Sequence, residues 1–171
     1  MKKVVLSTLG CLLAVSVYSQ DKLYTHKGDT LNVYVQEVNE NSVKFTYPKE
    51  QIVNVFSKNI IDKIEYESGR VEQVSEKIII NGKEDWQKVV VTNLESDIQG
   101  LTKGEELKAK AKGTTFTSQG RVEARAFNKL RKEAASKGYH TLLILTTTGQ
   151  SGKLVAYSSA SSSIRAIGYK Y

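Results

Sequence analysis

One segment with the apolar spacing of a helix, residues 118–137, stands among shorter segments in which apolar and polar residues alternate. Five of its residues fall within about 140° of one another at about 100° per residue, and they form a stripe that faces a core: Val122, Ala126, Phe127, Leu130 and Ala134. Ser118 is placed to cap the start of this helix, and Gly138 to end it. One helix among many short strands predicts an α+β fold.

The segments before residue 76 are typical of short strands with one solvent-exposed face. Apolar residues alternate with mostly polar ones in two of them: Leu31, Val33 and Val35 in the first, Val43, Phe45 and Tyr47 in the second. Residues 39–42 and 67–70 have the composition of turns. Because strands this short must pair beyond a single hairpin, residues 21–75 are predicted to form a small all-β barrel.

Residues 87–171 are predicted to form a second unit, in the order strand, strand, helix, strand, strand. The apolar run at 139–148, YHTLLILTTT, is typical of a buried strand. Between the two units, residues 76–86 are predicted to be a connecting strand and hinge, with Trp86 packed at the domain junction. The expected architecture is therefore a small β-barrel domain followed by a small β-β-α-β-β domain.

The first twenty residues have the layout of a secretory signal peptide, with two lysines, an apolar run from Val4 to Val17 and a polar end. Cleavage would leave Asp21 as the first residue of an exported protein, which would be periplasmic, associated with the outer membrane, or secreted. Lipidation of Cys11 is the alternative, although TLGC lacks the usual leucine three places before the cysteine. Cys11 is the only cysteine, so a cleaved chain has no disulfide, thiolate metal site or cysteine nucleophile.

Charge is distributed unevenly along the chain. Residues 21–86 contain 9 Lys and Arg against 12 Asp and Glu, a net charge of −3, whereas residues 87–171 contain 14 against 6, a net charge of +8. This asymmetry predicts two units with different surfaces.

The first half resembles a known class of small domain. YTHKGDTLNVYVQEVNENSVKFTY followed by VFSKNIIDKIEYESG is similar to the SH3-like or Sm-like barrel of many exported bacterial proteins of unknown function. Cytoplasmic Sm-like barrels bind RNA, but phosphate binding needs basic charge and this half is acidic. We therefore expect no nucleic acid partner.

The second half resembles another class. RAFNKLRKEAASKGYHTLLIL is similar to the helix-then-strand core of small β-α-β envelope domains, which include outer-membrane stress-sensor lipoproteins and the "heavy-metal-binding" domain. Ala126, Leu130, Ala134 and Gly138 match the pattern of those families. The sensor lipoproteins carry disulfides and this half has no cysteine, so neither their redox chemistry nor the metal label is carried over.

Candidate catalytic and metal-ligating residues are few. The chain has two histidines: His26, which is expected to be exposed in a turn, and His140, which is expected to be a hydrogen-bonded residue at a strand edge. TGQSGKL at 148–154 matches neither a nucleophile elbow nor a phosphate loop and is predicted to be a polar hairpin turn. The sequence therefore predicts no metal, cofactor or catalytic residue. A secreted enzyme or small-ligand binder with a site around Trp86 is the alternative to a non-catalytic protein.

The sequence ELKAKAKG, residues 106–113, fits two structures. Its composition favours a helix, whereas the bracketing Gly104 and Gly113 and the resemblance to envelope domains favour a strand, which we expect. In a strand, Lys108, Lys110 and Lys112 line the outer side. These lysines would either protect an edge from pairing with other strands or bind a partner.

A second basic row lies on the predicted helix, opposite its apolar stripe: Arg121, Arg125, Lys129 and Lys132. We expect this row to be the primary contact, since its charges project from a rigid element, and the lysine strand mainly to protect an edge. The sequence as a whole predicts an exported, non-catalytic envelope protein whose basic half binds an anionic membrane surface, a glycolipid or a protein of the envelope.

Overall fold

A computed structural model describes residues 20–114, 117–150 and 160–171. These residues form two β-sheets and one main helix, which confirms the α+β class. The first sheet contains β1 (Asp21–Thr25), β2 (Thr30–Val38), β3 (Ser42–Thr46), β4 (Val53–Ser57), β5 (Ile61–Glu65) and β6 (Val71–Gln73). The second contains β7 (Val90–Thr92), β8 (Thr102–Lys112), β9 (Thr141–Gln150) and β10 (Ser161–Lys170), with the helix α1 (Gln119–Ser136) between β8 and β9 in the sequence.

The first sheet has the strand order β4-β3-β2-β1-β5-β6, and all its neighbouring strands run antiparallel. The predicted alternation holds in β2 and β3, where Val33, Val43 and Phe45 are fully buried. They pack in one core with four other buried residues: Leu23, Ile60, Ile61 and Ile64.

The second sheet has the order β7-β9-β10-β8. The strand β10 lies between β9 and β8 and is antiparallel to both, whereas β7 runs parallel to β9. From residue 87 onward the elements follow one another in the order expected from the sequence. Residues 148–150 of the predicted hairpin turn belong to β9, and the rest of that turn lies outside the described residues.

The helix α1 packs on the second sheet through the predicted stripe. Val122, Ala126, Leu130 and Ala134 are fully buried, and the half-buried Phe127 lies beside them. The helix begins one residue after Ser118, whose side chain makes no capping hydrogen bond. It ends before Gly138, which adopts a positive φ of 75° that favours glycine.

The segment between the sheets differs from the prediction. Residues 76–86 contain no strand of either sheet, and they end in a 3-10 helix, Lys83–Lys88, that includes Trp86. The start of this segment instead lies against the first sheet, where the Val74 N–H donates a hydrogen bond to the Asp62 carbonyl at 2.8 Å, whereas Ile80 packs against the second core.

The two halves of the chain contact each other through segments that flank the sheets. The Ser57 N–H at the end of β4 donates to the Gln99 carbonyl at 2.9 Å, and the Asn59 side chain donates to the Asp97 carbonyl at 3.1 Å. Leu101 and Tyr171, from the second half, pack against the core of the first sheet.

The predicted signal peptide, with Cys11, lies outside the described residues except for Gln20. None of the helices in the part of the chain that the structure describes has the length and apolarity needed to cross a membrane.

Candidate functional site

The lysines of ELKAKAKG lie on a strand, as expected. Leu107, Ala109 and Ala111 are buried against α1, so Lys108, Lys110 and Lys112 project from the opposite, solvent-exposed face of the second sheet. Alanine on the inner face allows the helix to approach the strand closely. The alternating small and charged residues therefore fit a sheet that is covered by a helix on one face.

The neighbours of these lysines on the outer face belong to β10. Lys108 lies opposite Arg165, Lys110 opposite Ser163, and Lys112 opposite Ser161. The Glu106 carboxylate accepts a hydrogen bond from the Arg165 guanidinium at 2.6 Å, and this bond holds the pKa of Glu106 below its usual value. The positive charge of Arg165 is thereby paired with a carboxylate. Lys110 and Lys112 instead lie opposite serines, whose hydroxyls carry no charge.

The basic row of the helix lies on its surface. Arg121, Arg125 and Lys129 are exposed, and Lys132 is half-buried because its ammonium group lies 5.2 Å from the centroid of the Trp86 ring. Trp86 packs at the margin of the second core; its predicted place at the domain junction stays a prediction. The cation on its ring occupies a surface on which a ligand would otherwise stack.

The strand and the helix meet in a groove of about 390 Å³. Six residues line it: Ala111, Lys112, Arg125, Asn128, Lys129 and Lys132. Four of the seven candidate residues from the sequence therefore come together. Arg121, Lys108 and Lys110 are not part of the lining. The Lys110 carbonyl nevertheless accepts a hydrogen bond from the ammonium group of Lys129, a lining residue, at 3.1 Å.

The four cations of this groove have no ion-pair partner among the described residues. Lys137, at the other end of the same helix, lies 3.1 Å from the Glu105 carboxylate and 3.6 Å from that of Glu133, and these contacts raise its pKa. The contrast shows that acidic side chains compensate the cation at the carboxyl end of the helix but leave the groove with uncompensated positive charge.

A second cluster was not predicted. His26 and His140 are both buried, with 5% and 2% of their surface exposed, and both contact the ring of Tyr171. The expectation of an exposed His26 is therefore wrong. The Ser75 hydroxyl donates to the Ile61 carbonyl at 2.8 Å, so it accepts from Nε2 of His26, also at 2.8 Å. This bond orients the buried imidazole where the two halves meet, and burial lowers the pKa of His26.

His140 is also only partly as expected. Its Nδ1 lies 2.9 Å from the Thr141 hydroxyl, but its buried Nε2 has no hydrogen-bond partner in the part of the chain that the structure describes. Burial and, to a smaller extent, the neighbouring His26 lower the pKa of His140 to about 4. The contacts of the two histidines with Tyr171 join residues that are far apart in sequence, so no local pattern in the chain indicates this cluster.

Comparison with known proteins identifies no relative: no family model, curated protein or solved structure matches the chain significantly.

Proposed function

We propose that this chain is an exported, non-catalytic interaction protein that binds an anionic partner through the groove between α1 and β8. One observation carries the proposal: Lys112, Arg125, Lys129 and Lys132, from two different elements, line a single open groove and have no carboxylate partner among the described residues. The anionic partner is an envelope protein, a membrane surface or a glycolipid.

The charges are sufficient for reversible binding. Each cation close to an anionic surface contributes about 1 kcal/mol, so the three cations of α1, together with Lys112 at the edge of the strand, hold a partner with an affinity that salt reduces. Screening over about 8 Å at physiological ionic strength limits the attraction to charges in direct contact. Binding of this kind needs neither a cofactor nor a catalytic residue.

The architecture that we propose has two units, a small SH3-like barrel at 21–75 and a basic β-β-α-β-β domain at 87–171. Its support is that each sheet has its own buried core. In the first sheet several residues have no exposed surface although no α-helix of the described residues covers them, and a sheet that curves around its own core, with Leu101 and Tyr171 packed at the margin, accounts for this burial. Curvature of this kind is typical of small barrels.

The proposal is tested with three double variants that change the net charge equally. R125E/K129E alters the groove, K108E/K110E alters the outer face of β8, and K103E/K170E alters exposed lysines at the far end of the same sheet. Binding is measured to immobilised polyglutamate and by cosedimentation with phosphatidylglycerol vesicles, each at low and at physiological salt.

We expect R125E/K129E to weaken binding to at least one of these probes by more than tenfold at low salt, since each cation contributes about 1 kcal/mol. K108E/K110E should have a smaller effect, and K103E/K170E the smallest. Equal retention of the wild type and all three variants would contradict the proposal and leave the lysines as protection of a strand edge.

A further inference from the structure

The free edge of β8 has a defined set of unpaired main-chain groups. Among the described residues, β8 pairs with β10 alone. The Gly113 N–H donates to the Ala160 carbonyl at 2.8 Å, directly beyond the pair formed by Lys112 and Ser161. Hydrogen-bonded and non-hydrogen-bonded pairs alternate in an antiparallel ladder. Lys112, Lys110 and Lys108 therefore occupy non-hydrogen-bonded positions, and their N–H and C=O groups point away from β10.

One contact agrees with this assignment. The Lys110 carbonyl accepts a hydrogen bond from the ammonium group of Lys129, which reaches it from the helix. The bond lies at the surface of the protein, where a backbone N–H of another chain can replace the ammonium group and release it to a carboxylate.

Side chains on both sides of this edge are basic. A strand added beside β8 would place alternate side chains on the two faces of the sheet. Those on the outer face would lie next to the ammonium groups of Lys108, Lys110 and Lys112. Those on the inner face would enter the groove lined by Arg125, Lys129 and Lys132. Carboxylates are favourable at either position, and cations are unfavourable at both.

We propose that the partner is an acidic protein segment in an extended conformation, which adds to the sheet as a strand along residues 108–112 of β8. This inference rests on the proposed function and specifies it. Main-chain hydrogen bonds would supply affinity, and the basic side chains would select for acidic residues. The same lysines would repel the edge of a second copy, because like charges opposite one another are destabilising.

The experiment uses a synthetic peptide of nine residues in which glutamate alternates with threonine, blocked at both ends and labelled for fluorescence anisotropy. In two matched peptides the backbone nitrogens are methylated, either at every glutamate or at every threonine. All three peptides have the same charge. The added strand directs one alternating set of N–H groups toward β8 and the other away from it. One methylated peptide should therefore bind at least tenfold more weakly than the parent, and the other within about twofold.

A change in the protein provides an independent measurement. K110P removes an N–H that points out of the sheet, a position at which proline is tolerated in an edge strand, and K110A controls for the lost charge. We expect K110P to bind the parent peptide at least fivefold more weakly than K110A does. Circular dichroism of the two variants shows whether both are folded. If K110P does not fold, the methylated peptides still test the inference, because they are measured on the unmodified protein.

The outcomes separate this inference from the proposed function. In one outcome the parent peptide binds, R125E/K129E weakens its binding, and both methylated peptides bind as tightly as the parent. That outcome overturns strand addition, while the proposed binding of an anionic partner stands. Retention on vesicles without binding of any peptide also overturns strand addition and identifies a lipid surface as the partner. Failure of peptides, polyglutamate and vesicles alike overturns both.

Discussion

The imidazole ring of His140 stacks on the phenol ring of Tyr171, with the ring centroids 4.0 Å apart and an angle of 29° between the planes. His26 meets the same phenol ring edge-on at 5.1 Å. The Tyr171 oxygen accepts a hydrogen bond from the Ile78 N–H at 3.0 Å, and Lys77 donates to the His26 carbonyl at 2.7 Å. Tyr171 thus joins the first sheet, the segment between the sheets, and the start of β9.

We predict that stability decreases as the pH falls from about 6.5 toward 4. The pKa of His140 is lowered to about 4 in the folded protein, so the unfolded chain takes up this proton first. Neutral His140 makes its full contribution to the free energy of unfolding at pH values above the pKa of the unfolded chain. That contribution is lost as the pH falls from the unfolded pKa to the folded one, at roughly 1.4 kcal/mol per pH unit at most. Burial also lowers the pKa of His26; the Asp62 carboxylate opposes that shift, and Lys77 adds to it.

The measurement is urea unfolding at pH 7.5 and pH 5, followed by the fluorescence of Trp86, the only tryptophan. H140F keeps the aromatic stack on Tyr171 and removes the titrating group. We expect this variant to lose less stability at pH 5 than the wild type loses. An identical loss in both proteins would show that other groups cause the pH dependence.

Tyr171 should contribute to stability mainly through its ring. Y171F removes one hydrogen bond, to the Ile78 N–H, and should cost about 1 kcal/mol. Y171A also removes the contacts with both histidines, and we expect a loss of roughly 2 to 4 kcal/mol. Urea unfolding at pH 7.5 measures both variants. Equal, small losses would mean that the ring contacts do not hold the sheets together.

Two glycines of the second sheet are required for packing. A Cβ atom added to Gly104 or to Gly168 would clash with the ring of Tyr139. Either alanine variant should therefore lose about 1 to 3 kcal/mol. Gly120, in the first turn of α1, provides the control, since a Cβ there meets nothing within 4 Å and alanine favours a helix by up to about 1 kcal/mol. Thermal unfolding should place G120A at or above the wild type, and no loss in G168A would contradict the packing argument.

The signal peptide is a separate prediction. Protein purified from its native host should begin at Asp21, because residues 1–20 have the charged start, apolar run and polar end of a cleaved leader. Sequencing of the amino terminus measures this directly, and L12R, which interrupts the apolar run, is expected to retain the full chain in the cytoplasm. A lipid on Cys11, or an intact Met1 on exported protein, would be the contrary result.

Local sequence patterns predicted the helices and strands but not the tertiary contacts between them. The helix was predictable because its apolar stripe and the Gly138 that follows it lie in one continuous segment. The strand β8 was predictable because small and charged residues alternate in it. The groove depends on where α1 lies relative to the edge of β8, which no local pattern specifies. The burial of His26 depends on Tyr171, which follows it by 145 positions and carries no sequence signal of that contact.

The central position of β10 has a consequence for the order of folding. This strand follows β8 and β9 in the sequence but lies between them, and β8 has no other partner strand among the described residues. The first sheet can close while the chain is still emerging from the ribosome, since its strands pair mostly with their sequence neighbours. The second sheet must wait until residues 161–170 are synthesised. A nascent chain of this design keeps the edge of β8 that faces β10 unpaired until that strand has emerged, so the basic half folds after the acidic half.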